Sequence, residues 1–451
     1  MGSISRAENL QKVVPKARWW RIIPPTIIIY IIAYMDRMNI SFAMAGGMNK
    51  ELGLSMAASG LAAGIFFWGY LVLQVPAGHI AEHGSAKKFI MWSIIAWGGL
   101  STLTGFVHNF HELLIMRFLL GVAEGGVYPA ILIVVGKWFP KKELGRANAL
   151  FLMSLPISTV ITNPVSGWIV ANYSWRWLFI YEGAVSLLLI FIWMPMISDR
   201  PEEAKWISKE EKEYLLTTLA REKSEAEEAL LAVGNSIKWS YTKLFFDKNL
   251  WLLILVYMCY TTGQYGYTLW LPTLLKQLTK SSLTNVGWMT SLPFVMALGG
   301  LYLMGALSDR HGNRRLYTSL SLVGFGVIFF LATLFFPGNI GMCFGLLVLT
   351  GLFTKSMQSP FWAMPAVVFP PGVAGGARGA INALGNLGGF FGPVLVGWFA
   401  TRTGNLNYGV YSLVVVLLIG GGITMLLPRV TAGFKQEAGR KPASTAAKAQ
   451  A

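Results

Sequence analysis

The sequence predicts an all-α, polytopic membrane protein. Of its 451 residues, 54% are hydrophobic and only 13% charged, against roughly 25% charged in ordinary soluble domains. The mean hydropathy is +0.53. Apolar runs of about 20 residues recur along the chain, the length a helix needs to cross hydrocarbon. Hydrocarbon offers no partner to a free backbone group, so such spans are expected to be helices.

The formal net charge of +16 would suggest nucleic acid in a soluble protein. Here the charge lies mostly in loops and tails, where it sets topology and draws the chain to a membrane surface. No nucleic-acid partner is expected; the lipid bilayer is. Cys259 and Cys343 both sit inside apolar runs, and no CxxC pattern occurs, so neither a disulfide framework nor a metal site is expected. His79, His83, His108, His111 and His311 fall near helix ends or loops. The opening MGSISRAENLQKVVPKARWW is polar and basic and lacks the apolar core of a signal peptide. No HExxH, P-loop or nucleophile elbow supports an enzyme, and no cofactor is expected.

Twelve spans can be drawn, near 19–45, 55–80, 88–107, 112–136, 146–171, 176–197, 248–272, 285–307, 315–336, 339–367, 375–401 and 407–428. Six precede a polar stretch rich in Glu and Lys, and six follow it. The expected organisation is an N-terminal bundle at 1–198, a linker at 199–247, a C-terminal bundle at 248–429 and a disordered tail at 430–451. Within the linker, Ser208-Lys209-Glu210-Glu211 has the pattern of a capping box. It is expected to open a solvated helix through about Ala220. Loops after even-numbered spans hold Lys87, Lys88, Lys141, Lys142, Arg146, Arg310, Arg314, Arg315 and Arg378. Loops after odd-numbered spans hold few bases, among them Lys50, Lys276, Lys280 and Arg402. The positive-inside bias therefore predicts cytoplasmic termini and linker, in a cell membrane.

Span 1, IIIYIIAYMDRMNISFAMA, carries Asp36 and Arg37 side by side inside its apolar run. A charge near the bilayer middle costs at least ~2.5–3.5 kcal/mol on insertion scales, so both signs there need a reason. One reason is a structural ion pair between packed helices; the other is a substrate and proton site facing a polar cavity. Span 4 repeats the device with Arg117 and Glu124, seven residues apart. That spacing puts both on one face, roughly 10 Å apart along the axis. Span 1 runs outward and span 4 inward, so Arg37 and Arg117 can lie level in the outer half. Both are permanently charged and can fork onto a carboxylate.

An internal repeat supports the two halves. Gly305-Ala-Leu-Ser-Asp309-Arg310-His-Gly312-Asn-Arg314-Arg315 follows span 8. Gly78-His-Ile-Ala-Glu82-His83-Gly-Ser85-Ala-Lys87-Lys88 follows span 2, with Ser85 in place of a Gly and His83 in place of an Arg. This pattern resembles the loop 2–3 and 8–9 signature of the major facilitator superfamily. Twelve helices in two pseudo-symmetric six-helix bundles with a cytoplasmic linker look like that fold. The resemblance implies that Gly78 and Glu82, with Gly305, Asp309, Arg310, Gly312 and Arg314, form a gating latch that joins helix ends when the cavity faces outward.

Tyr34-Met35-Asp36-Arg37-Met38-Asn39 resembles the Y-x-D-R-x-N segment of the anion:cation symporter branch, which holds bacterial tartrate, phthalate, 4-hydroxyphenylacetate and galactonate permeases. Arg117-x6-Glu124-Gly125, Gly145-Arg146-Ala-Asn-Ala-Leu, Trp175-Arg-Trp-Leu-Phe-Ile-Tyr-Glu182-Gly and Arg200-Pro-Glu-Glu-Ala-Lys-Trp206 match the same branch. The resemblance implies proton-coupled uptake of a small organic carboxylate by alternating access. Asp36 and Glu124 would take up protons, with Na+ as the alternative coupling ion. Arg37 and Arg117 would bind the substrate carboxylate, with Tyr34 beside them and Tyr70 closing that side. The family places further contacts on helices 7, 10 and 11, where the candidates are Gln264, Tyr265, Ser359, Trp362, Asn382 and Asn386. Asn382 would either touch substrate or bond between helices. Lys355 would answer a second acidic group, pair with a helix carboxylate, or snorkel. The fold commonly works as a monomer.

Three rivals remain. An organophosphate:phosphate antiporter is expected to carry an arginine on span 7, and LWLLILVYMCYTTGQYGYTLW has none. A proton-driven exporter of cationic drugs would carry a Gly-rich motif on span 5. A non-transporting sensor would fold and bind alike.

Overall fold

The computed structural model describes residues 16–232 and 241–428; among these, all regular structure is helical. The N-terminal half contains α1 (Ala17–Met38), α2 (Met56–His83), α3 (Ala86–Thr104), α4 (Phe110–Gly125, continued by Val127–Trp138), α5 (Lys141–Leu152 and Ser154–Asn172) and α6 (Trp175–Leu188 and Ile190–Met196). A linker helix, Lys209–Ala232, follows. The C-terminal half contains α7 (Lys248–Thr279), α8 (Leu283–His311), α9 (Arg314–Leu334), α10 (Ile340–Thr354), α11 (Pro371–Gly385 and Gly388–Thr403) and α12 (Leu406–Thr424). The polar tail at 430–451 lies outside the described residues.

Side chains that offer an oxygen to an exposed amide open most of these helices. Ser55, Ser85, Asn109, Ser282, Asn313 and Asn339 accept from Ala58, Lys88, Glu112, Asn285, Leu316 and Met342 N–H groups respectively. Each satisfies a donor that the first helical turn leaves free. At the far end of α8, Gly312 takes φ +69, a left-handed value that glycine adopts without a Cβ penalty.

Ten helices among the described residues are long and apolar enough, by length and composition, to cross a membrane. Two of the twelve expected spans, α3 and α7, fall outside that set although they have 19 and 32 residues. The first turn of α3 holds Lys87 and Lys88, and the middle of α7 reads CYTTGQYGYT. Every residue of α7 from Tyr260 to Leu275 is buried. A helix enclosed by other helices does not need lipid-compatible side chains, so its hydropathy understates its place in the bundle.

The two halves meet at one end. A Cβ at Gly60 on α2 would lie 2.3 Å from the Pro393 carbonyl oxygen of α11, and one at Gly167 on α5 would lie 2.5 Å from the Leu283 carbonyl oxygen of α8. Small residues let these backbones touch. The Ala57 N–H donates to Thr401 Oγ1 at 2.8 Å, Asn163 Nδ2 to the Thr290 carbonyl at 3.1 Å, and Ser291 Oγ to the Val160 carbonyl at 3.2 Å. These three side-chain hydrogen bonds between the halves lie at this end. At the opposite end, Glu82, Asp309 and Arg310 are exposed.

The linker helix departs from the expectation in two ways. It extends to Ala232 rather than about Ala220, and one face is packed, with Glu211 and Leu215 buried. Ser208 Oγ accepts from the Glu211 N–H at 3.1 Å, half of the expected capping box. The Glu211 carboxylate turns instead to α1, accepting from Arg18 Nη1 at 2.6 Å and from the Ala17 and Arg18 N–H groups. Arg18 also forks onto Glu143 at 2.7–2.8 Å. The start of α1 offered a better partner: free amides and a guanidinium together.

Candidate functional site

Close packing of α2 on α4 builds the site. A Cβ at Gly69 would lie 2.0 Å from the Phe118 carbonyl oxygen, one at Gly121 2.0 Å from that of Phe66, and one at Gly125 2.2 Å from that of Tyr70. These glycines bring the α2 rings against the charges of α1 and α4. The Arg37 guanidinium carbon lies 4.6 Å from the Tyr70 ring centre, 5.2 Å from Phe66 and 5.6 Å from Tyr34. That of Arg117 lies 5.1 Å from Phe66. Aromatic faces are negative and favour such cations.

Arg37 and Glu124 pair across the two helices, Nη2 to Oε2 at 3.4 Å. The contact is long for a charge-assisted hydrogen bond. Glu124 Oε1, Arg37 Nε, Arg117 Nε and the Tyr34 hydroxyl are buried without hydrogen-bond partners. Arg117 is fully buried and points its two terminal nitrogens at the Asp36 and Arg37 carbonyls, each at 3.4 Å. The two arginines are thus level, as the helix directions predict.

Asp36 faces the other way. Its carboxylate accepts from Ser101 Oγ of α3 at 2.6 Å and Ser186 Oγ of α6 at 2.9 Å, and from Asn39 Nδ2 at 3.4 Å. Among the described residues it forms no side-chain ion pair. Neighbours on a helix diverge by about 100°, so adjacency with Arg37 in sequence does not become contact. Asn39 Nδ2 also donates to Glu182 Oε2 at 2.9 Å, and Ser166 Oγ donates to Glu182 Oε1 at 2.9 Å. Glu182 and the serines were not singled out in the sequence as site residues. The available signal for Glu182 was the one that marks Glu124: a lone acid within an apolar run.

The C-terminal half brings Tyr265 and Lys355 to this place. Tyr265 packs on Phe67 with ring centres 4.4 Å apart. Lys355 is 5% exposed and lies within electrostatic reach of Tyr265 and of Arg37. Its ammonium forms no ion pair or hydrogen bond among the described residues. It stands where α10 ends, at the residue after Thr354, and helix-terminal carbonyls favour a cation there. Gln264 is buried, with Nε2 3.4 Å from Thr268 Oγ1. Asn386 Nδ2 donates to Asn382 Oδ1 at 3.2 Å, so these two share a face as their spacing predicts. Trp362 packs edge-on against Tyr257, ring centres 5.0 Å apart.

Ser359 is not brought to the others. It is exposed, and its Oγ would lie 2.6 Å from a Cβ at Gly305. The expected continuous span 339–367 is interrupted at Lys355–Met357 before Gln358–Ala363 resumes, which resets the helical register. Of the expected latch, Arg314 Nη1 donates to the Ala363 carbonyl at 2.8 Å. Glu82, Asp309 and Arg310 make no side-chain ion pair among the described residues, and nothing lies within 4 Å of a Cβ built at Gly78. In the first copy, the position that departs from the family frame has its own use: Ser85 Oγ donates to Asp199 Oδ2 at 2.5 Å, and the Lys87 N–H to Asp199 Oδ1 at 2.8 Å.

Comparison with known proteins agrees with this architecture. The family model described as "Major Facilitator Superfamily" matches residues 26–281 and 274–450. A protein of Agrobacterium vitis named "Putative tartrate transporter" is 34% identical over 429 residues, covering 93% of this chain and 92% of the relative. A "Quinolone resistance transporter" of Acinetobacter baumannii is 31% identical over 430 residues, covering 93% and 96%. A solved structure of a bacterial homolog to the human lysosomal transporter Spinster, inward-facing and occupied, superposes with a TM-score of 0.74 over 92% of this chain and 97% of that one, at 16% identity. The chain belongs to the Major Facilitator Superfamily, and is a multi-pass membrane transporter rather than an enzyme.

Proposed function

We propose that this transporter takes up a small organic carboxylate together with protons, by alternating access between two six-helix bundles, at residues 1–198 and 248–429. The supporting observation is two neighbouring buried cations, Arg37 and Lys355, with one loose acid contact between them. The one ion pair of Arg37 among the described residues is the long contact to Glu124, and Lys355 stands within its electrostatic reach from the other half without an acid of its own. Two cations on opposite walls suit a molecule with two acidic groups, and they repel a cationic substrate. Tyr34, Tyr70, Gln264 and Tyr265 frame this position, and Trp362, Asn382 and Asn386 extend it. A proton on Glu124 would release Arg37 to the incoming carboxylate. The halves would then rock about the site. The basic loops support an orientation with both termini on the cytoplasmic side of a cell membrane, and the cycle is assigned to a monomer.

A relative named for tartrate supports the dicarboxylate reading. The relative named for quinolone resistance favours a second reading, export of an aromatic carboxylate, because a quinolone also carries a carboxyl group. Proteoliposome flux under an imposed proton gradient separates the two. Tartrate, phthalate, 4-hydroxyphenylacetate, galactonate, glucarate and a quinolone form the panel, with Arg37→Ala as control. Gradient-driven uptake of one acid, lost in the control, is the expected result. Quinolone extrusion alone selects the second reading. Exchange of phosphate, or flux of a cationic dye that survives the control, defeats both.

A further inference from the structure

The Arg37–Glu124 pair leaves a second acidic group in the N-terminal half without a use. Glu182 is 1% exposed, lies on α6, and shares the Asn39 amide nitrogen with Asp36. Of the elements packed against α6, α1 presents Asp36 and Arg37 at this level, α3 presents Ser101 and α5 presents Ser166. The charged residues of α3 and α5 lie at the far ends of those helices, at Lys87 and Lys88 and at Lys141, Lys142, Glu143 and Arg146. Glu51 and Arg176 pair at the outer start of α6. No cation among the described residues lies within ion-pair distance of Glu182 or of the Asp36 carboxylate.

Glu124 has Arg37 as its ion-pair partner, whereas Asp36 and Glu182, both buried and joined through Asn39, have none among the described residues. With both ionised, two like charges stand together unpaired where unpaired charge is expensive. An independent observation points to the same spot. Asn39 is fully buried and its Nδ2 serves both acids, yet its Oδ1 has no partner. An amide oxygen is an acceptor only. Carboxylates cannot satisfy it, whereas a carboxylic acid O–H can.

We propose that Asp36 and Glu182, bridged by Asn39, hold one proton between them, and that Glu182 is a proton-carrying residue of the transport cycle. Two acids sharing one site keep a proton in preference to two charges. Ser101 and Ser186 donate to Asp36, and Ser166 donates to Glu182, so each oxygen pair has a donor in either arrangement. Because Arg117 holds the Asp36 and Arg37 carbonyls, the charge on Asp36 sits directly behind the arginine site.

The place of this proton in transport rests on the proposed symport, but its existence does not, and the test separates them. Infrared spectra of the purified full chain in lipid nanodiscs, without substrate and near neutral pH, should contain a protonated-carboxyl C=O band that shifts in heavy water. Glu182→Gln and Asp36→Asn should each remove that band, and Glu182→Asp should retain it. Thermal melting checks that each variant is folded. A band unchanged in both Glu182→Gln and Asp36→Asn overturns the proposal. So does its absence from the unaltered protein together with stabilisation by added sodium, which would make the cluster a sodium site. If the assignment holds and no acid is transported by the unaltered protein, the symport reading fails alone. If transport holds, Glu182→Gln should lose gradient-driven accumulation and keep substrate exchange; full accumulation in a folded Glu182→Gln chain removes its role in the cycle.

Discussion

Arg37 Nη2 and Glu124 Oε2 lie 3.4 Å apart, joining α1 to α4, while the other Glu124 oxygen is buried with no partner. A pair this loose can be opened by one proton. Glu124→Gln, which mimics the protonated acid, should leave Arg37 free at all times. The variant should bind substrate and exchange it across the membrane, but should not accumulate it under a proton gradient. Comparing gradient-driven uptake with counterflow measures this directly. Accumulation at the unaltered level would mean that coupling runs through another group.

Arg117 has a different task from Arg37. It is fully buried and spends its terminal nitrogens on backbone carbonyls of α1. Removing one partner of a buried charged group typically costs about 3–5 kcal/mol. Arg117→Ala should therefore lower the melting temperature of the purified protein markedly, whereas Arg37→Ala should mainly abolish uptake. Arg117→Lys keeps the charge but cannot reach two carbonyls at once, and should fall between. Equal melting temperatures for the two alanine variants would erase the distinction.

The residues that a bilayer makes expensive were legible in the sequence. Asp36, Arg37, Arg117 and Glu124 announce themselves as charges within apolar runs, and the structure gathers all four around one level of the bundle. Where each side chain points was not legible. Asp36 turns to Ser101 and Ser186 because the room on its side of α1 is lined by hydroxyls, which resemble helix-packing residues in sequence. Ser359 leaves the site because the turn at Lys355 breaks α10, and the hydropathy of GLFTKSMQSPFW runs on regardless. Glu211 fits a capping box, but Arg18, almost two hundred positions away, competes for the same carboxylate.

Lys355 should govern which acids are accepted. It is buried within electrostatic reach of Arg37 and has no partner acid among the described residues. Lys355→Met should raise the KM for tartrate by about tenfold or more, the ratio equivalent to about 1.4 kcal/mol. It should change the KM for a monocarboxylate such as 4-hydroxyphenylacetate little. Parallel loss for both would indicate that Lys355 supports the fold of α10 instead.

Arg18 ties three segments together: its own helix, Glu143 at the start of α5, and Glu211 of the linker helix. Glu211 is fully buried and Arg18 2% exposed, so opening this node leaves an acid without its cation. Arg18→Ala should loosen the linker helix from the N-terminal half. Hydrogen exchange across Lys209–Ala220 should accelerate, while exchange in α2 and α4 stays as it was. Unchanged protection of the linker would show that the apolar face around Leu215 suffices to hold it.

In the proposed cycle, the glycine contacts between α2 and α11 should set the balance between open ends. A Cβ at Gly60 would sit 2.3 Å from the Pro393 carbonyl oxygen, and this neighbour is backbone, which cannot swing aside. Gly60→Ala must therefore push the two helices apart at the end where the halves now touch. Overpacking of this kind typically costs about 1–3 kcal/mol. In the proposed alternating-access cycle the cost falls on one conformation only, since the helices would separate at this end when the cavity opens the other way. A penalty of about 1.4 kcal/mol on one of two states shifts their ratio tenfold. Spin labels at Met56 and Thr401, which flank this contact, should report a longer mean distance in Gly60→Ala than in the parent carrying the same labels. Gly78→Ala, at a position with no atom within 4 Å of the added methyl, should leave the distance unchanged. A distance unaltered by Gly60→Ala would place the pivot between the halves elsewhere than at this contact.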